Sequence, residues 1–84
     1  MGQKEKAIER MRKLPKDVSF DEYTRFLGYF DYVLDNKGRT SGSRARFTRN
    51  GSLPILVHKP HGHKCMWWQD IEKVLDALEK EGLL

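Results

Sequence analysis

Between Asn36 and Gln69 the 84-residue chain has no aspartate and no glutamate, although twelve acidic residues lie elsewhere in it. The same stretch holds seven of the sixteen basic residues (Lys37, Arg39, Arg44, Arg46, Arg49, Lys59, Lys64) and all three histidines. The net charge of +4 is therefore concentrated in the middle, since the two flanks together carry nine basic and twelve acidic residues. Such segregation is the footprint of a surface for a polyanion. The other scarcities exclude whole classes. A single cysteine, Cys65, forms no internal disulfide, so a reducing, cytoplasmic setting is expected. No apolar run approaches the roughly 20 residues of a membrane span. The opening MGQKEKAIER lacks the apolar centre of a secretory leader, and Lys6 stands where a myristoylation pattern wants Ser or Thr. No glycine-rich run opens a helix to cradle phosphates, and no nucleophile elbow is present. With 38% hydrophobic and 11% aromatic residues, the chain nevertheless has the makings of one folded domain.

What is present reads as an α+β domain of order α(α)βββα. Ala7, Ile8, Met11 and Leu14 recur at helical spacing over Gln3 to Leu14, and Pro15 stops that helix. Ser19-Phe20-Asp21-Glu22 reads as a capping box with Val18 as its hydrophobic staple. It opens a helix to Leu27, with Gly28 as the left-handed residue beyond. From Tyr29 to Asp35 the period becomes two, as in a strand. A second strand spans Ser43 to Arg49, with Arg44 and Arg46 on the face opposite Ala45 and Phe47. Asn50-Gly51 predicts a type I′ hairpin turn, and Leu53 to His58 a third strand with Pro54 near its start. Ile71, Val74, Leu75 and Leu78 mark a last helix closed by Gly82, with Leu83 folding back on its end. The expected product is a three-stranded antiparallel sheet with helices on one face and the other face open.

Several stretches in register carry a family resemblance. Asp21-Glu22 through Leu27-Gly28-Tyr29 looks like a first helix running into an L-G-aromatic strand start. Gly42-Ser43-Arg44-Ala45-Arg46-Phe47 looks like a G-S-H-x-x-F strand, and His58-Lys59-Pro60-His61 like an H-[RK]-P-H exit loop. Glu79 to Leu84 looks like the end of a last helix. On these features residues 16–84 resemble the HicA-type toxins, mRNA interferases of toxin–antitoxin pairs, and residues 1–15 would be an N-terminal helical extension of a single domain. The resemblance implies a double-stranded-RNA-binding-domain-like fold, RNA as partner, a HicB-type antitoxin as second partner, and RNA cleavage without metal or other cofactor. It also exposes a departure: Arg44 stands where the family places its catalytic histidine, and Trp67-Trp68 stand where relatives often carry two lysines. Arginine stays protonated and is no general base.

The chemistry therefore needs a shifted site. Cleavage takes a base for the 2′-hydroxyl, an acid for the leaving oxygen and a cation on the phosphorane. His58 and His61 suit proton transfer, and Arg44 suits the third role through its planar fork of donors. Lys37, Arg39, Arg46, Arg49, Lys59 and Lys64 are the expected RNA contacts. Alternatives stand beside each assignment. His58 would also serve as an ordinary strand-end side chain, and the arginines as charges that guard a sheet edge. One tryptophan would cap the core while the other stacks on a base or anchors a partner. His58, His61, His63 and Cys65 offer zinc donors, but at a spacing unlike common zinc motifs, so no metal is expected. A non-catalytic RNA-binding domain of the same fold is the alternative to a ribonuclease.

Overall fold

A computed structural model describes residues 2–35, 44–60 and 64–84. The sequence signals at Lys37 to Ser43 and at His61 to His63 lie outside the described residues.

Helix α1 (Gln3–Arg12) ends two residues before the expected Leu14. The amides of Lys13 and Leu14 bond back to Arg10 and Met11, and Leu14 itself turns left-handed at φ 50°. That conformation stops the helix before Pro15 while keeping Leu14 packed against the core. Helix α2 (Phe20–Gly28) begins as expected at Ser19, whose hydroxyl accepts from the Glu22 amide at 3.1 Å. The reciprocal half of the capping box is replaced. Glu22 takes Arg10 instead, with Nε to Oε2 at 2.5 Å and Nη2 to Oε1 at 3.2 Å, while Arg10 also reaches Asp17 at 3.0 Å. These contacts join α1 to the start of α2.

The end of α2 corrects the sequence reading. Gly28 is helical, and the left-handed residue is Asp31 at φ 69°. Tyr32 donates to the Leu27 carbonyl and Asp31 to that of Gly28, the double bond of a Schellman closure placed three residues later than expected. The reason is Phe30. An extra turn stacks it edge-on against Phe26, with ring centroids 5.4 Å apart, and buries it. The alternating burial of Phe30 and Tyr32 is real, but the strand it suggested shrinks to β1 (Val33–Leu34).

Strands β2 (Arg44–Thr48) and β3 (Ile55–His58) complete an antiparallel sheet of order β1-β2-β3. Ala45, Phe47, Ile55 and Val57 are buried beneath it. Arg44, Arg46, Leu56 and His58 point the other way and are exposed. The connection around Asn50-Gly51 is not type I′. Only Gly51 has positive φ, at 80°, and the Ser52 amide bonds Arg49 across the turn, the pattern of type II. Leu53 and Pro54 precede β3 rather than opening it.

Helix α3 (Trp68–Lys80) buries Ile71, Val74 and Leu78 and closes at Gly82, φ 75°, with Leu83 donating to Leu78 at 2.8 Å. Tyr23, fully buried against Phe47, donates its hydroxyl to the Asp70 carbonyl at 2.9 Å. The result is a small α+β fold with helices on one face of the sheet. Helix α1 belongs to the same core, since Met11 is completely buried and Ala7 and Ile8 pack against its neighbours. Burying a side chain of that size contributes about 1.5–3 kcal/mol. Among the described residues no helix is long and apolar enough to cross a membrane.

Candidate nucleic-acid interface

The two-residue period of β2 puts Arg44 and Arg46 on the open face, and the register pairs Arg44 with His58 and Arg46 with Leu56. Two hydrogen bonds fix the kind of pairing. The Asp35 amide donates to the Arg46 carbonyl from the β1 side at 2.8 Å. Lys73 Nζ donates to the Leu56 carbonyl at 2.6 Å from outside the sheet. Both carbonyls therefore point away from the β2–β3 seam. Arg46/Leu56 and, one period on, Arg44/His58 are non-hydrogen-bonded pairs, the kind whose Cα atoms approach to about 4.5 Å and whose side chains lie closest.

The cations on this face differ in what they do. Arg44 makes no hydrogen bond or ion pair with any other described residue, so its whole fork is available. Arg46 faces Asp35 at 3.9 Å, an exposed contact of small strength. Lys59 lies over the Phe20 ring with its nitrogen 5.3 Å from the centroid. Arg49 is also engaged within the fold. Its Nε donates to the Phe30 carbonyl at 2.9 Å and its Nη1 to Ser52 Oγ at 3.0 Å, and Ser52 in turn donates to Glu81. It fastens the hairpin loop to the ends of α2 and α3. Lys64 is exposed and lines a cavity between the end of β3 and the start of α3, whereas Lys37, Arg39 and His61 lie outside the described residues.

The segment that leads into α3 builds a wall beside His58. The Met66 amide donates to the Val18 carbonyl at 2.7 Å, and Met66 is buried. Met66, not a tryptophan, fills the core at this place. Trp67 and Trp68 are both exposed, at 65% and 45%. Trp67 stacks near His58, with centroids 6.2 Å apart and rings 21° from parallel. Between the end of β3 and the start of α3 lies a cavity of about 200 Å³, lined among others by His58, Lys64, Met66, Trp67 and Asp70.

Asp70 is the residue that sequence reasoning passed over. It sits one position beyond the carboxylate-free stretch and reaches back into it. Partial burial raises its pKa above the usual carboxylate value, and the nearby charges of His58 and Lys73 offset part of that rise. Its signal was its place in the first turn of the last helix, where acids are favoured for reasons of capping alone. Burial likewise holds the Tyr23 phenol protonated, so it remains the donor to the Asp70 carbonyl.

No group of three or more potential metal ligands occurs among the described residues, with His61 and His63 outside them. What the geometry brings together is a guanidinium and an imidazole on the open face of the sheet, with an aromatic platform beside the imidazole. That set suits a phosphodiester and its base. The chain matches no protein-family model, no curated protein and no solved structure.

Proposed function

We propose that the chain is a HicA-type toxin: an RNA-binding domain that cleaves mRNA without a metal and is neutralised in the cytoplasm by a HicB-type antitoxin. The observation that carries this reading is Arg44 facing His58 across the β2–β3 ladder on the open face of the sheet. One phosphate lying over the pair meets a guanidinium, which can grip its oxygens, and an imidazole, the side chain most often used for proton transfer. In the proposed reaction His58 takes the 2′-hydroxyl proton, and the 2′-oxygen attacks the adjacent phosphorus. Arg44 stabilises the charge that builds on the phosphorane, and the bond to the 5′-oxygen breaks. His61, three residues after His58 in the exit loop, is assigned the proton for that leaving oxygen. Lys59 and Lys64 extend the basic surface along the RNA strand.

The test is inducible expression in a bacterial host, with purified protein assayed on mRNA in the presence of a chelator. Wild type is expected to arrest growth and cleave RNA, whereas His58→Ala is expected to do neither while still binding RNA. Arrest and cleavage unchanged in both His58→Ala and His61→Ala would remove the catalytic assignment. One observation favours a second reading, a non-catalytic RNA-binding domain: an arginine, unable to act as a base, occupies the family's histidine position. Under that reading wild type binds RNA and leaves it intact.

A further inference from the structure

We propose that the cavity between the end of β3 and the start of α3 is a base-reading subsite that selects guanine in single-stranded RNA, with the base edge on the Asp70 carboxylate and its ring against Trp67. This rests on the RNA-binding reading of the open face. At about 200 Å³ the cavity is smaller than the roughly 300–1,000 Å³ of pockets for drug-sized ligands. Its size is that of one ring system. Trp67 presents an exposed indole face at its wall, and Lys59 and Lys64 are among the residues that line it, which gives the cavity a cationic surround suited to the phosphates of a splayed nucleotide.

Asp70 supplies the discrimination. It is the third residue of α3, the position from which a carboxylate ordinarily reaches back to the amide of the residue before the helix. That bond is not made here, and the carboxylate has no hydrogen-bond or ion-pair partner among the described residues. It lines the cavity instead. Guanine alone offers two adjacent donors, N1–H and the N2 amine, on one edge, which match the two oxygens of a carboxylate. Adenine and cytosine pair their single donor with a ring-nitrogen acceptor, and uracil flanks its N3–H with two carbonyls. Each of these would set a lone pair against the negative oxygens.

The experiment titrates the full chain with U-rich single-stranded pentaribonucleotides that differ only at the central base, following Trp67 fluorescence in a Trp68→Phe background. Central guanine is expected to bind roughly tenfold tighter than adenine, cytosine or uracil. Inosine, which lacks the N2 amine, is expected to lose most of that gain. Asp70→Asn should abolish the preference and keep the base-independent affinity; Tyr23 bonds the backbone carbonyl of Asp70, so its contact survives the substitution. Arg44→Ala should weaken all oligomers alike and leave their ratio unchanged. Equal binding of all four bases by wild type, or a preference that persists in Asp70→Asn, overturns the subsite and leaves RNA binding standing. No binding of any oligomer at low salt overturns both.

Discussion

Arg44 and His58 sit directly opposite each other as a non-hydrogen-bonded pair at the open end of the β2–β3 ladder. The arrangement makes a cation and an imidazole near neighbours on one exposed face without either being consumed by the fold. If that face holds RNA, Arg44→Ala should reduce the slope of log affinity against log salt by about 0.7 for a single strand, one phosphate contact's worth. Filter binding over a range of salt concentrations measures it. An unchanged slope would take Arg44 off the contact surface.

Arg49→Ala should behave in the opposite way. Its guanidinium bonds the Phe30 carbonyl and Ser52, so its loss should lower stability by about 1.5–3 kcal/mol, the range for hydrogen bonds to a charged group. The salt slope should stay as in wild type. Urea unfolding and the same binding titration separate the two outcomes.

The raised pKa of Asp70 gives a signed dependence on pH. The folded state holds this proton to higher pH than the unfolded chain does, so ionisation costs stability as pH climbs from the ordinary aspartate value of 3.8 through the higher folded pKa. Asp70→Asn removes that loss. Its urea midpoint relative to wild type should therefore be smallest at acid pH and grow as pH rises through this window, then level off. A difference that shrank over the window would contradict the burial of this carboxylate.

Two tyrosines test the same chemical change with different expected results. Tyr23→Phe removes the hydroxyl that holds the Asp70 carbonyl and should cost about 1 kcal/mol. The Tyr32 hydroxyl is buried with no partner among the described residues, so Tyr32→Phe should be neutral or slightly stabilising. Thermal melts of the two variants decide between them.

Much of the architecture was legible because periodicity reports burial directly. The stripe of α3, the alternation of β2 and the Ser19 cap all lie where spacing and capping chemistry put them. The misreadings came from long-range contacts that no local pattern encodes. The Phe26–Phe30 contact extends the helical turn past a glycine that could have ended it. Arg10 draws Glu22 away from its cap. In the site, the face of Arg44 and Arg46 followed from alternation alone. The opposition of Arg44 to His58 required the register, and the approach of Asp70 required knowing where α3 starts relative to β3. Arg49 could not be told from its neighbours by charge, because only the fold shows a backbone carbonyl within its reach.

The bond from Met66 to Val18 has a consequence for where this protein can be cut. The wall that carries Cys65, Met66 and Trp67 hangs on a carbonyl in the linker after α1, and Met11 of α1 is buried in the same core as Met66. A fragment trimmed at Pro15 would keep every residue of the basic face and lose that buried side chain. The smallest piece expected to keep this core whole therefore starts upstream of Met11, and the first helix, remote in sequence from all the chemistry, is part of its foundation.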